Sequence, residues 1–535
     1  MIFIVSRHWI VVLALAVWVL FSTLPQTAQA QVTAFKQAVA EAAARDADMA
    51  AFYKAYEYKS LWTGRTGRER QRRTALFAAL SKAGNHGLPK ARYDADGLQA
   101  KMKAAKTDRD RGLVEVEISR TFLQYSRDLQ TGVLVPSRVN RAIVRQVPYR
   151  DRTSYLVNFA KSSPAGFFKA LAPKTTEYNA LMKEKLRMER LLAKGGWGAK
   201  VPAKSLKPGQ SGEAVVVMRN RLISMGFLKR TNTQSYDATV QSAVQQFQLA
   251  HGLAADGVAG PGTMTELNKG VQERLQSIIV AMERERWVNQ ERGKRHVLVN
   301  LPDFTAKIVD NGKVTFSTRS VVGANKEDRP TVEFSDVMEF MVINPSWYVP
   351  RSIVVGEYLP ELKKNRNAVR HIEITDSRGR KINRGATNFA QYTEKTFPYA
   401  MRQPPSKGNA LGLVKFMFPN PHNIYLHDTP AKNLFSRESR AYSHGCVRLA
   451  DPFDFAYALL AKQQSNPESY FQSVLATGNE TRVDLKSPVP VHIIYRTAFT
   501  TPKGHTQYRR DVYGRDAQIW RALSKAGVAL RAVQG

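Results

Sequence analysis

The sequence predicts a multi-domain α+β protein, helical through its first half and β-rich through most of its second. Three observations predict it. The 535 residues are too many for a single core, at roughly 100–200 residues per domain. Apolar residues recur at helical spacing up to about residue 290. From about 295 to 500 the period shortens to two, with turn residues between short apolar runs. A composition of 43% hydrophobic and 23% charged residues argues against disorder over most of the length.

Residues 1–30 read as an export address. Arg7 precedes an apolar run from Trp9 to Leu20, and Ala28-Gln29-Ala30 supplies the small residues of a cleavage site. That run is about 12 residues against the roughly 20 of a membrane span. The expectation is cleavage after Ala30, a mature start at Gln31 and no stable membrane span thereafter, with an uncleaved inner-membrane anchor as the alternative. Lys and Arg number 80 against 45 acids, a net charge of +35, to which the first 30 residues contribute only Arg7. Such a charge attracts polyanions. In the cytosol nucleic acid would come first; for an exported chain, acidic wall peptides and anionic lipid surfaces replace it.

Residues 31–200 form a helical scaffold. Phe52, Tyr56, Leu61 and Trp62 make an aromatic cluster, and Leu76, Phe77, Leu80 and Ala83 recur at helical spacing before the Gly84–Gly87 stop. Residues 206–268 form a compact unit. Val215, Met218 and Leu222 line a first helix ended by Gly226, and Asp237 caps a second carrying Val240, Val244 and Phe247. After an Asp256–Gly260 turn, a short third helix starts at Thr263. This string resembles the three-helix peptidoglycan-binding domain of wall enzymes. A linking helix (271–290) follows, with Leu275, Ile278, Ile279 and Met282 on one side. The β-rich domain then runs from 295 to 500. Its clearest turn is Asp310-Asn311-Gly312-Lys313, because Asn-Gly accepts positive φ. Further strands are expected at 337–343, 412–417, 422–428 and 488–496. Within it, 354–407 is a basic, partly helical insertion with few strand signals, of the length of a lid. A C-terminal segment spans 501–535.

The chain has one cysteine, Cys446. It has no intramolecular disulfide partner, and a lone thiol in an exported chain is either a small buried hydrophobe or reactive. Its setting is Ser443-His444-Gly445-Cys446-Val447-Arg448-Leu449, followed by Asp451-Pro452 at a helix start. A second histidine stands upstream in Tyr425-Leu426-His427-Asp428-Thr429-Pro430. A neighbouring imidazole raises the thiolate fraction of a thiol whose pKa is roughly 8.5, and Gly445 lets backbone N–H groups approach a developing oxyanion. Acyl transfer through a thioester follows from such parts. A zinc site from His427, His444 and Cys446 competes, though without paired-cysteine or HExxH spacing. A papain-like hydrolase would place its cysteine before its histidine.

The SHGCVRL and YLHDTP strings resemble the active-site signature of the L,D-transpeptidase (YkuD-type) catalytic domain, in its long form with a helical scaffold, a peptidoglycan-binding domain and a capping insertion. Asn344-Pro345-Ser346-Trp347-Tyr348-Val349-Pro350, Gly408-Asn409-Ala410-Leu411-Gly412 and Asp511-Val512-Tyr513-Gly514-Arg515-Asp516 support it. The stretch 403–408 departs from the family's usual loop. The resemblance implies Cys446 as nucleophile, His427 as general base and the Asp428 backbone carbonyl as the group orienting His427. His444, Gly445, Tyr425 and Ser443 would line the acyl pocket and oxyanion hole. Arg448 would hold a substrate carboxylate or, equally, a structural salt bridge. The implied reaction joins a tetrapeptide stem to Cys446 with loss of D-alanine. The stem then passes to a diaminopimelate amine (a 3→3 crosslink), to the N-terminus of an outer-membrane protein, or to water, as in an L,D-carboxypeptidase. A non-catalytic wall-binding protein is the alternative of another class. The resemblance implies a periplasmic enzyme of wall biogenesis and cell shape, sensitive to carbapenems, with peptidoglycan stem peptides as partners and no metal or organic cofactor.

Overall fold

The computed structural model describes residues 33–326, 329–501 and 504–531. The expected signal sequence, 1–30, lies outside the described residues. Among these, no helix is long and apolar enough to cross a membrane. The chain groups into two compact units. One takes the residues up to Leu80 with Tyr93–Tyr125 and Arg150–Phe167; the other takes Ser81–Arg92, Ser126–Tyr149 and everything from Phe168 on. The helices expected as one body over 31–200 thus divide between the two.

The first unit is helical, and the expected aromatic cluster is its core. Trp62 is fully buried, its ring 5.0 Å from Phe159 and 5.3 Å from Phe122. The buried Glu115 carboxylate accepts the backbone N–H groups of Leu61 (2.7 Å) and Thr63 (2.8 Å), so its charge is well satisfied.

In the second unit, the three short helices lie at Glu213–Met225, Ala238–Ala250 and Pro261–Leu267. Gly226 ends the first in the left-handed region (φ 86°), and Asp237 caps the second through Thr239 and Val240. The linking helix, Val271–Trp287, is buried on every side from Ile278 onward, where one apolar side was expected. Its apolar residues share a core with Ile519 and Leu523 of the C-terminal Arg515–Lys525 helix. Its buried charges are paired instead: Arg284 with Glu333 (2.6 Å) and Asp516 (2.8 Å), Arg286 with Glu283 (2.6 Å).

Nine strands make the main sheet of the second unit. They are β1 (Arg295–Asn300), β2 (Thr305–Asp310), β3 (Lys313–Gly323), β4 (Ser335–Ile343), β8 (Val414–Met417), β9 (Leu426–His427), β10 (Ala441–Ser443), β11 (Val447–Leu449) and β12 (Thr481–Ile494). Their order is β10-β3-β11-β9-β8-β4-β12-β1-β2, and β3 also pairs with β2, which closes the row on itself. Asn311 and Gly312 both take positive φ in the β2–β3 turn, as their sequence predicts. The strand expected over 422–428 shrinks to Leu426–His427. Asn420 is the reason: its side chain accepts from the His422 N–H (3.0 Å) and donates to the Ile424 carbonyl (2.8 Å), folding those residues into a turn.

The insertion is a small subdomain. Strands β5 (Trp347–Tyr348), β6 (Glu373–Thr375) and β7 (Ala400–Gln403) form a three-stranded sheet in the order β5-β7-β6. Ile353, Leu359, Leu362, Phe389, Phe397 and Met401 give it a separate hydrophobic cluster. It therefore holds more sheet than its sequence signalled and begins earlier, at Trp347.

Candidate active site

Two short strands bring the key residues together. Strands β9 and β11 pair in parallel, Leu426 opposite Val447 and His427 opposite Arg448. Leu426, Val447 and Leu449 point into the core. Strand alternation then puts His427 and Arg448 side by side on the other face. The Val447 N–H donates to the Tyr425 carbonyl (2.9 Å). Carrying that register back one residue sets Cys446 beside Tyr425, with His427 two residues further along the neighbouring strand. Cys446 is half-buried, and its thiol donates to the Asn423 carbonyl at 3.5 Å. Among the described residues no hydrogen bond joins the thiol to the His427 ring.

His427 is buried, and its Nδ1 lies 2.5 Å from the Asp428 carbonyl oxygen. A carbonyl only accepts, so Nδ1 carries the proton and Nε2 keeps its lone pair. Burial pushes the ring's pKa down to about 4, the Arg448 charge adds to this, and hydrogen bonding to the Asp428 and Leu411 backbone opposes it. The ring is neutral at neutral pH. Burial raises the Cys446 thiol, while a hydrogen bond from the Tyr425 backbone and the Arg448 charge lower it. The resting pair is thus thiol and neutral imidazole, and a thiolate requires a proton transfer.

The turn before Cys446 is tightly held. Gly445 has φ 118°, a conformation that side-chain-bearing residues rarely adopt. The Ser443 hydroxyl accepts from the Gly445 N–H (3.1 Å) and donates to the Cys446 carbonyl (2.5 Å). The His444 ring projects outward, its Nε2 2.6 Å from Glu357. Arg448 is half-buried, and its Nε has no hydrogen-bond partner. Among the described residues no acid pairs with it, so the expected structural salt bridge is not formed. Nor is any group of three or more His, Cys, Asp or Glu side chains arranged there to hold a metal ion.

Residues 294–515 match the family model of the L,D-transpeptidase catalytic domain. The chain carries an L,D-transpeptidase catalytic domain. Residues 47–184 match a scaffold domain, and 211–267 a "Putative peptidoglycan binding domain". A Haemophilus influenzae protein named "Putative L,D-transpeptidase" is 32% identical over 225 residues, 42% of this chain and 45% of that one. The match thus spans less than half of either. Crystal structures of L,D-transpeptidases from Stackebrandtia nassauensis (15% identity, TM-score 0.22, 55% of this chain and 96% of that one) and Xylanimonas cellulosilytica (14%, 0.17, 55% and 98%) also align. Scores that low carry no weight for the architecture.

Within the transpeptidase domain, buried hydrogen bonds tie the supporting motifs to one another. Asn409 is fully buried, and its side-chain amide donates to the carbonyls of Pro345 (3.1 Å), Gln403 (3.2 Å) and Pro404 (3.0 Å). That one side chain ties the 344–350 motif to the atypical 403–408 loop. The Asp428 side chain, given no role by the sequence, accepts the N–H groups of Leu413 (2.9 Å) and Thr429 (2.6 Å) and the Lys432 ammonium (2.6 Å). It fixes the strand end that presents His427. Asp451 starts its helix as expected, yet its side chain accepts from the Thr318 hydroxyl (2.8 Å) in place of the helix N–H groups. Thr331 and Glu357 touch the turn before Cys446 through Gly445 and His444, and nothing in the sequence foreshadows either. Each stands alone, 115 and 89 residues before Cys446, in no motif that local spacing reveals.

Proposed function

We propose that this chain is an exported peptidoglycan L,D-transpeptidase working in the periplasm, with Cys446 as nucleophile and His427 as general base. The observation that carries the reading is the setting of the sole thiol: half-exposed, beside a strand whose neutral histidine has Nδ1 committed to a backbone carbonyl. Nε2 takes the thiol proton as sulfur attacks the carbonyl between the L-centre of meso-diaminopimelate and the terminal D-alanine of a tetrapeptide stem. The oxyanion forms against backbone N–H groups of the 444–446 turn. The C–N bond breaks, D-alanine takes the proton and leaves, and a thioester remains. An acceptor amine, a second diaminopimelate side chain, attacks it and restores the thiol, giving a 3→3 crosslink. The unpaired Arg448 supplies a guanidinium for a stem carboxylate. Tyr425, Ser443, His444 and Gly445 shape the acyl pocket, and residues 206–268 hold the enzyme on the wall.

Intact mass after meropenem treatment, followed by product analysis with tetrapeptide muropeptides, tests the reading. The expected results are one Cys446 adduct, then dimers with loss of D-alanine. Stems trimmed by D-alanine with no dimers would make the chain an L,D-carboxypeptidase; no adduct and no turnover would leave a wall-binding protein.

A further inference from the structure

The nucleophile's turn rests on a buried platform that the reaction as drawn above leaves unexplained. Thr331 is fully buried, and its hydroxyl donates to the Gly445 carbonyl at 2.7 Å. The same oxygen accepts the Gly323 N–H at 2.8 Å. A hydroxyl has one proton, so with Gly323 occupying a lone pair that proton is committed to Gly445. The platform itself is pinned. Tyr513 donates to the Gly323 carbonyl (2.6 Å), and Arg515 donates to the Thr331 carbonyl (2.8 Å) and the Glu333 carboxylate (3.1 Å). Gly323 meets this segment so closely that a Cβ there would fall 1.9 Å from the Arg329 carbonyl oxygen.

The Gly445 carbonyl and the Cys446 N–H belong to one planar peptide and point in opposite directions. Holding the carbonyl against the platform therefore turns the Cys446 N–H away from it. Among the described residues that N–H has no hydrogen-bond partner. Gly445, at φ 118°, would otherwise let this peptide turn over at little cost. Resting on the transpeptidase reading, we infer that Thr331 is a positioning residue that locks the Cys446 N–H as an oxyanion donor, with Tyr513 and Arg515 bracing it. The terminal 511–516 motif thereby serves the chemistry from a distance.

Two reactions of the same sulfur test this. Meropenem acylation forms an S–C(carbonyl) bond, breaks the lactam C–N bond and sends the thiol proton to the lactam nitrogen; its oxyanion needs the donor. Iodoacetamide alkylation forms an S–C bond and expels iodide, the thiol proton passing to His427 and then solvent; no oxyanion arises. Thr331→Val should slow acylation about 10- to 100-fold, within the range of losing one oxyanion donor, and leave alkylation within about twofold. Thr331→Ser should restore acylation. Should Thr331→Val not fold, Tyr513→Phe decides, with the same split at about three- to tenfold. Equal losses in both reactions, or unchanged acylation in a folded variant, would overturn the role of Thr331. A wild-type chain that alkylates but never acylates would overturn the transpeptidase reading, and this inference with it.

Discussion

Two of the regions of the second unit that bury arginine do it differently. Around the Val271–Trp287 helix, each buried guanidinium is matched: Arg284 with Glu333 and Asp516, Arg286 with Glu283, Arg515 with Glu333. On the β9–β11 face, Arg448 has no acid and its Nε no hydrogen-bond partner among the described residues. A buried charge without a partner costs several kcal/mol and gives no stability in return. The paired arginines hold helix, sheet and C-terminal motif in one arrangement. In the function proposed above Arg448 is kept for a carboxylate of the substrate, and it stands next to the only thiol and the only histidine of that strand pair. Lacking an acid is not by itself the mark, since buried Arg221 also has none and spends its N–H groups on the carbonyls of Gly198, Leu267 and Lys269; what sets Arg448 apart is that it has no acid and still keeps an N–H without a partner among the described residues.

The comparison breaks most visibly at the thiol. Cys446→Ala should abolish the meropenem adduct while shifting the melting temperature by no more than a degree or two; any residual adduct would move the nucleophile elsewhere. His427→Ala should slow acylation at neutral pH by about 10²–10⁴-fold, the contribution expected of a general base. In the wild type, the His427 ring is a free base at every pH above about 4, so the acylation rate should hold through mild acid and fall only as the pH drops through about 4. A midpoint near 6.5 would deny the burial. Stability should fall earlier, as the pH drops from about 6.5 to about 4, and must be followed separately. Unfolded histidines bind a proton near 6.5, whereas His86, His427 and His492 in the fold do so only near 4. The unfolded state thus holds more protons between those values, and stability rises with pH across that window.

The two arginine settings should separate under the same substitution. Arg284→Met strands the carboxylate of Asp516, leaves Glu333 to Arg515 alone among its close partners, and should cost about 3–5 kcal/mol in denaturant unfolding. Arg448→Met strands nothing and should leave stability unchanged or raised. Its effect should fall on KM for a tetrapeptide donor, up by about 10- to 100-fold, as loss of a charged hydrogen bond predicts. If Arg448→Met unfolds the domain with KM intact, unmatched charge does not mark chemistry in this fold.

Local rules made part of this legible. The Asn311-Gly312 turn, the Asp237 cap and the Gly226 stop depend on neighbours within a few residues, and each stands where the sequence puts it. The Cys446 and His427 segments declared themselves because the residues proposed as nucleophile and base occupy short motifs. What stayed hidden depends on distant pairing. The insertion's β5 and β7 are 2 and 4 residues long, too short for a period to register, and they meet across more than fifty residues. The linking helix looked one-sided because its charged face reads as solvent-exposed until Glu333, Asp516 and Arg496 arrive from far along the chain. Thr331 acts through one hydroxyl, and its distance from Gly445 exists only in the fold.

The smallest expected effect lies between the insertion and the turn before Cys446, where pairing is matched but exposed. Glu357 lies 2.6 Å from the His444 ring and 2.7 Å from Arg329. Surface pairs of this kind contribute about 0–1 kcal/mol, so their loss should barely register in unfolding. Glu357 belongs to the insertion and His444 to the turn before Cys446, so in the proposed function the contact would matter by keeping the imidazole out of the space proposed for the acyl group. Glu357→Gln retains the shape and removes the charge. It should raise KM for acylation a few-fold with kcat and melting temperature unchanged, and His444→Ala should cancel that rise by removing the ring. If kinetics are indifferent to Glu357→Gln, this pair belongs with the structural charges of the linking helix, and Arg448 alone defines the contrast.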